Sequence, residues 1–205
     1  MKKLPEKTVE RLSQYRRILI KEAESGKAYI YSHELAKLLH ITPVQVRRDI
    51  MLIGHTGTLR KGYEINELSR SIGEVIDSKE EQKVAVIGAG NLGKAIMGYL
   101  KGKRTKLTIK ASFDVNPEKT SRVISGIRCY HINDFEQIVQ KENITIAILT
   151  VPGEKAGEVA EKCIVAGIKG ILNFTPTPVN VQPHAYLEEY DMITSIEKVA
   201  FFSQQ

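Results

Sequence analysis

The chain has 205 residues, 42% hydrophobic and 26% charged, a length and composition that fit one or two folded domains and exclude both a large multidomain enzyme and a mainly disordered chain. No apolar run approaches the roughly 20 residues of a membrane span. Met1-Lys2-Lys3-Leu4-Pro5 leads into charged sequence rather than an apolar signal core, so a cytoplasmic location without membrane contact is expected. The net charge of +6 is unevenly placed: residues 1–62 carry 13 Lys and Arg against 6 Asp and Glu, and the remainder carry 17 against 18. A basic third followed by a near-neutral remainder is the distribution of a nucleic-acid-binding module joined to something else.

From Thr8 to Ala23, Val9, Leu12, Tyr15, Ile18 and Leu19 recur at three- and four-residue spacing, which predicts an amphipathic helix ending at Ser25-Gly26. Ser32 is placed to cap a short helix carrying Leu35, Ala36, Leu38 and Leu39. Thr42-Pro43-Val44-Gln45 then reads as N-cap, N1 proline and the N3 member of a capping box. The helix so started runs to about Ile53 and stops at Gly54, with Val44, Val46 and Ile50 facing the core. Residues 58–65 alternate loosely around Gly62 as a hairpin or wing does. This order predicts an N-terminal winged helix-turn-helix domain, about residues 1–80. Gln45, Arg47 and Arg48 on the second helix of the pair are candidate readers of base edges in a major groove. Arg60 and Lys61 on the wing are candidates for a narrow A·T-rich minor groove. Leu68, Ile72, Val75 and Ile76 give residues 66–82 the period of a linking helix.

The composition then changes. Val84-Ala85-Val86-Ile87 reads as a buried strand and runs directly into Gly88-Ala89-Gly90-Asn91-Leu92-Gly93, followed by a helical stretch from Lys94 to Lys101. A second strand, Leu107 to Phe113, ends in Asp114, 21 residues past Gly93. A glycine motif alone is weak evidence. Flanked by strand, helix and a terminal acid, it predicts a Rossmann-like, doubly wound parallel sheet over about residues 81–190, in which the helix N-terminus and loop amides hold a diphosphate. Asp114 is suited to accept from a ribose 2′-OH and to repel a 2′-phosphate, which favours NADH and NAD+ over NADP(H). Two further strands are predicted, Ile144 to Leu149 ending in Thr150-Val151-Pro152, and Lys169 to Leu172 ending in Asn173-Phe174-Thr175-Pro176. Between them a helix from Gly153 to Ala166 turns Val159, Ala160, Cys163 and Ile164 inward. Thr150, Pro152, Asn173 and Thr175 are candidates for the nicotinamide half, with Val151 and Phe174 beside them.

About 80 residues for the basic module and about 100 for the nucleotide fold leave about 25, too few for a substrate domain. The five histidines, His33, His40, His55, His131 and His184, show no spacing to a carboxylate or tyrosine that would serve proton transfer. No catalytic residue and no metal site is expected. Cys129 and Cys163 lack ligand spacing and read as small buried hydrophobes. The last helix, about Asp191 to Phe202, carries Met192, Ile196, Val199 and Phe202 on one stripe. It is too short to fold alone, and residues 191–205 are expected to swap onto a second subunit of a homodimer, since a palindrome-reading module needs a twofold partner.

These residues resemble the Rex family of redox-sensing transcriptional repressors over essentially the whole chain. The resemblance rests on Tyr15-Arg16-Arg17-Ile18-Leu19, Leu35-Ala36, Ile41-Thr42, Gln45-Val46-Arg47-Arg48-Asp49 and Gly62-Tyr63. It continues through the glycine motif, Ala111-Ser112-Phe113-Asp114, Ala147 to Pro152 and Gly170 to Pro176. It implies a homodimer with swapped C-terminal helices that binds A·T-rich palindromic operators and leaves them when NADH replaces NAD+, controlling fermentation and NADH-reoxidation genes. The implied partners are double-stranded DNA and a second copy, with no protein substrate. By motif, Arg17 and Tyr99 fall where the family has a relay to an aspartate of the partner's swapped helix, here Asp191. Met51-Leu52-Ile53, Leu59-Arg60 and Met192 depart from the family's pattern, which implies a shifted operator preference and a looser plug beside the nicotinamide. Two other readings stand beside this one: a DNA-binding regulator sensing another nucleotide such as CoA, and a small NAD-dependent oxidoreductase.

Overall fold

The computed structural model describes residues 4–58, 60–100 and 106–204, and the chain divides into two units, Met1–Ser78 and Lys79–Gln205. Leu59 of the expected wing and Lys101 of the expected helix lie outside the described residues.

In the first unit, α1 (Glu6–Glu24) buries Thr8, Leu12, Tyr15 and Leu19, while Val9 is exposed, contrary to the periodicity, because the apolar stripe is one residue narrower than expected. The helices α2 (Ser32–Leu39) and α3 (Pro43–Leu52) are joined by a turn in which His40 takes a positive φ. Ser32 does not cap α2. The cap position is Tyr31, whose amide donates to the Glu34 carboxylate at 2.7 Å. Thr42 caps α3 as expected, accepting from the Gln45 amide at 3.1 Å with Pro43 in the first turn. Gln45 does not complete a capping box, since its side chain turns to Asp49 instead. Val46 and Ile50 are buried but Val44 is half exposed; the third inward position of α3 belongs to Asp49.

The expected wing is smaller than a free-standing hairpin. Thr58 and Gly62 exchange backbone hydrogen bonds at 2.8 and 2.9 Å across the turn, and the strand that follows, β2 (Tyr63–Glu64), pairs antiparallel with β1 (Tyr29–Ile30). The helix α4 (Ile65–Ile76) starts where Glu64 accepts from the Asn66 and Glu67 amides. Rather than merely linking, it buries Ile65, Leu68 and Ile72 in the same core as α1 and α3, with Ile76 packed at its margin.

Beneath that core lies a buried charge. Asp49 is fully buried and takes Arg11 side-on, Nε to Oδ2 at 2.6 Å and Nη2 to Oδ1 at 2.8 Å. Tyr15 Oη donates to Oδ2 at 2.8 Å and Gln45 Nε2 to Oδ1 at 3.0 Å. Burial alone lifts the Asp49 pKa, but the bonds from Arg11, Tyr15 and Gln45 outweigh it and hold the carboxyl below its ordinary range. Burial first, and then the hydrogen bond to and charge of Asp49, push the Tyr15 phenol well up against the opposing effect of Arg11.

In the second unit a seven-stranded sheet runs in the order β5-β6-β4-β3-β7-β8-β9. It consists of β3 (Gln82–Ile87), β4 (Leu107–Asp114), β5 (Val123–Ile124), β6 (Ile127–His131), β7 (Ile146–Leu149), β8 (Gly170–Asn173) and β9 (Tyr186–Glu189). All neighbouring pairs are parallel except the edge pair β5 and β6. On one face Ala85, Ile87, Phe113, Ala147 and Leu149 pack under α6 (Phe135–Glu142) and α7 (Ala156–Val165). On the other, Val84, Val86 and Ile148 pack with Met97 of α5 (Asn91–Leu100). Alternate residues of β3 therefore serve opposite cores, which is why that strand reads as an unbroken apolar run. Helices on both faces make the sheet doubly wound, with its strand order reversing between β3 and β7. The predicted helix from Gly153 begins as a 3-10 turn, Gly153–Lys155, before α7, and α7 buries Val159, Ala160 and Cys163 with Ile164 at the edge. Both cysteines are buried without a disulfide, and burial lifts the Cys163 thiol to about 12.

Removing one member of the Asp49 group leaves an unpaired buried charge, so Arg11→Ala should cost the first unit about 3–5 kcal/mol, read as lost hydrogen-exchange protection at Val46 and Ile50. The depressed Asp49 pKa contributes stability that is present above the unfolded value of 3.8 and is lost as pH falls through the folded value. Asp49→Asn should accordingly lower stability at neutral pH and flatten the acid limb of a circular-dichroism titration.

Candidate functional site

The glycine motif occupies the point where the strand order reverses. Gly88 has a φ of +101°, and a Cβ there would stand 2.6 Å from the Thr150 carbonyl oxygen, so the close approach of the β3 and β7 ends excludes any side chain. A Cβ on Gly93 would stand 2.0 Å from the Gly88 oxygen, which lets α5 lie against the end of β3. Gly90 differs: nothing lies within 4 Å of its added Cβ. Two glycines thus close the protein on itself and the third faces open space, the arrangement that lets a diphosphate approach the backbone.

Three features suit this opening to an anion. The helix α5 begins within the motif, at Asn91 rather than at Lys94, so its first amides, including Asn91, Leu92 and Gly93, lack intrahelical acceptors. Its first turn carries no acidic residue, leaving the positive end of the dipole uncompensated. Ala89 is buried, and its amide donates to Asp114 Oδ2 at 2.9 Å, which ties the loop to the end of β4. These residues fit a dinucleotide, with the loop amides for its diphosphate and Asp114 for a ribose.

Asp114 is itself held by the Asn116 amide on Oδ1 at 2.9 Å and by Lys119 Nζ on Oδ2 at 2.8 Å. Burial lifts its pKa, but Lys119, Asn116 and Ala89 together keep the carboxyl below its ordinary range and therefore ionised. Lys119 gave no periodic signal in the sequence; a cation five residues beyond the strand end is recognisable only once the turn has folded back.

The loops after β7 and β8 reach the same crevice with altered roles. Thr150 Oγ1 donates to the Gly88 and Ile87 carbonyls at 2.7 and 3.1 Å, so it braces the glycine loop. Val151 is half-buried and Pro152 exposed. Asn173 and Thr175 are buried and engaged with each other and with Thr177, Asn173 Oδ1 accepting from Thr175 Oγ1 at 2.8 Å. These bonds brace the turn that follows β8. Phe174, half-buried 5.3 Å from the Tyr190 ring, is the apolar surface this loop offers. Met192 opens α8 (Met192–Phe202), and Asp191 caps it, accepting from the Ile193 and Thr194 amides. Tyr99 is exposed on α5 and Arg17 on α1, in different units.

In the first unit, Arg47 and Arg48 are exposed on α3, with Arg47 Nη1 on Ser32 Oγ at 3.1 Å. Gln45, expected to read a base, is half-buried and donates to Asp49. It sits one turn before the buried acid on the same face, and the i, i+4 spacing was the signal for that bond. Arg60 and Lys61 are exposed. Two tyrosines of the β1 segment support them: Tyr31 Oη donates to the Arg60 carbonyl at 2.8 Å, and Lys61 Nζ lies 5.4 Å from the Tyr29 ring centroid. Among the described residues, no group of His, Cys, Asp and Glu could hold a metal ion.

The glycine geometry separates fold from binding. Gly93→Ala should lower the melting temperature of the second unit by overpacking worth about 3 kcal/mol. Gly90→Ala should leave it within about 1 kcal/mol while weakening any diphosphate ligand at least tenfold in a calorimetric titration.

Comparison with known proteins places both units. The family model "CoA binding domain" matches residues 79–177, and "Putative DNA-binding protein N-terminus" matches residues 3–50. The redox-sensing transcriptional repressor Rex of Listeria welshimeri is 34% identical over 98% of this chain and 93% of its own. That of Geobacillus kaustophilus is 35% identical with the same coverage. Crystal structures of RSP, a Rex-family repressor, superpose on 98% of this chain. The complex with β-NAD+ and operator DNA gives a TM-score of 0.88 at 28% identity over 93% of that chain, and the complex with β-NADH gives 0.86 at 27% over 94%. With the Listeria welshimeri and Geobacillus kaustophilus relatives 34 and 35% identical over 98% of its length, the chain belongs to the Rex family of redox-sensing transcriptional repressors.

Proposed function

We propose that this chain is a homodimeric, NAD(H)-responsive repressor that binds palindromic A·T-rich operators in the cytoplasm and leaves them when NADH replaces NAD+. Fermentation and NADH-reoxidation genes are the targets this reading implies. The observation that carries it is the Asp114 carboxylate at the end of β4, held below its ordinary pKa range and tied to a glycine loop whose middle glycine alone is open. In the RSP structures a Rex-family chain of the same fold holds β-NADH in one case and β-NAD+ with operator DNA in another.

The residues divide the work. Gly88, Ala89, Gly90, Asn91, Leu92 and Gly93 form the loop around the diphosphate, to which Asn91, Leu92 and Gly93 offer amides while that of Ala89 stays on Asp114, and Asp114 accepts from the ribose. Val151, Pro152 and Phe174 wall the nicotinamide end, with Met192 contributed by the partner. The ligand supplies a single difference, a nicotinamide ring that is cationic when oxidised and neutral when reduced. An apolar wall penalises the unpaired cation and admits the neutral ring. Arg47 and Arg48 enter the major groove and Arg60 and Lys61 the adjacent minor groove, α2, α3 and the β1–β2 pair forming a winged helix-turn-helix.

Dimerisation is assigned to residues 191–205. Every large apolar side chain of α8, Met192, Ile193, Ile196, Val199, Phe201 and Phe202, is more than half exposed, an arrangement stable only when the helix docks on another surface. Exchange of this helix between subunits gives the twofold axis that a palindrome needs, with Arg17, Tyr99 and the partner's Asp191 as the relay between ligand and reading head.

The CoA reading has one point in its favour, the family model matching residues 79–177. CoA carries a phosphate on the adenosine ribose, however, where Asp114 presents a charge of the same sign. Titration with NADH, NAD+, NADPH and CoA separates the cases: tightest binding of NADH is expected, and preference for CoA would overturn the assignment. In mobility shifts on an A·T-rich palindrome, NADH should weaken binding at least about fivefold relative to NAD+, a coupling of about 1–3 kcal/mol; equal effects refute redox sensing. Arg47→Ala should lose operator affinity by about 1–3 kcal/mol with unchanged NADH affinity.

A further inference from the structure

Asp114 does not stand at the end of β4 as a lone carboxylate. Its Oδ2 accepts from the Ala89 amide at 2.9 Å and from Lys119 Nζ at 2.8 Å, and its Oδ1 accepts from the Asn116 amide at 2.9 Å. An ionised carboxylate has about four lone-pair sites, so about one, on Oδ1, remains for a ligand. A ribose diol brings two adjacent hydroxyls, and Asp114 has room for one of them. Lys119 carries three N–H donors, one of them on Asp114, and its side chain remains 30% exposed.

The turn that carries this lysine is built to hold it. The Lys119 and Thr120 amides donate to the Asn116 carbonyl at 3.0 and 3.2 Å, and the Glu118 amide donates to Asn116 Oδ1 at 2.8 Å. Asn116 thus bonds both to Asp114 and to the turn around Lys119, which fixes the ammonium against the carboxylate.

We propose that Lys119 is a specificity-determining residue of the dinucleotide site, paired with Asp114 as a two-part ribose clamp. Asp114 accepts from one hydroxyl and Lys119 donates to the other. The same ammonium is a latent donor to a 2′-phosphate, held in check by the carboxylate beside it. Discrimination against NADPH is then the difference between repulsion by Asp114 and attraction by Lys119, and is weaker than a lone aspartate would give. This inference rests on the NAD(H) reading above.

The test uses the full-length chain titrated calorimetrically with NADH and NADPH, unmodified and as Asp114→Asn, Lys119→Gln and the double variant. Asparagine keeps an oxygen for the Ala89 amide. Asp114→Asn should raise the NADPH-to-NADH affinity ratio by about a hundredfold, and adding Lys119→Gln should take back about tenfold of that, the effect of one charge-assisted hydrogen bond to phosphate. Lys119→Gln alone, on a surface turn, should lower the ratio about tenfold. If the double variant keeps the full ratio of Asp114→Asn, the proposal is overturned. Should Asp114→Asn not fold, Lys119→Gln decides by itself, and an unchanged ratio overturns the proposal. Failure of the unmodified chain to bind NADH overturns the NAD(H) reading, and this proposal with it; NADH binding with an unmoved ratio removes Lys119 alone.

Discussion

The nucleotide unit depends on one close approach, the carbonyl of Gly88 against the start of α5 and the end of β7. That oxygen accepts from Thr150 Oγ1 at 2.7 Å and stands 2.0 Å from the position a Gly93 side chain would take. Because no side chain separates them, the ends of β3 and β7 and the first turn of α5 converge within a few ångströms. The ends of β3 and β7 are satisfied, Gly88 N–H on the Phe113 carbonyl and Thr150 N–H on the Ile87 carbonyl, so the amides left over at this point are those that open α5. The alternation of β3 serves the same end: its two faces feed two cores, so the strand is locked in register and its carboxyl end is fixed in space. Binding geometry here follows from packing, and the ligand finds donors already oriented.

The DNA-reading unit uses the opposite strategy, a buried charge in place of a backbone contact. Asp49 sits under α3 with Arg11 and Tyr15 of α1. An apolar residue of similar size would cost less to bury, but it would not dictate the rotation of α3 about its own axis. With Asp49 fixed inward, Arg47 and Arg48 are turned outward, and Gln45 is drawn in as a fourth partner. The outward side of α3 thus carries Arg47 and Arg48 together with the exposed apolar residues Val44, Met51 and Leu52.

Legibility in the sequence followed the range of the interactions. The glycine motif, its flanking strands, Asp114, and the Thr42-Pro43 helix start were readable because each is set by neighbours within a few residues. The pairing of β2 with β1 was not, since Tyr29–Ile30 is too short to show a period and its partner lies over thirty residues on. The bonds by which Asn173 and Thr175 hold the buried turn after β8 were not legible either, since polar residues at a parallel strand's end read first as ligand contacts. Val44 was misassigned because a helix period marks apolar positions and cannot register that a polar Asp49 holds the inward place.

A ligand in one unit alters the affinity of another only if it distinguishes two arrangements of the whole, since equal affinity for both shifts nothing. Each unit here folds around its own core, so neither site needs the other to form. Coupling must then reside in elements that neither core satisfies. The helix α8 is the most conspicuous: its cap is complete through Asp191, yet its apolar side chains remain open. The chain leaves the first unit at Asp77, which Arg16 pins through a 2.7 Å ion pair. A capped helix whose apolar side chains stay open is stable only when docked on another surface, so the docking of α8 is an equilibrium that a ligand able to tell docked from undocked will bias.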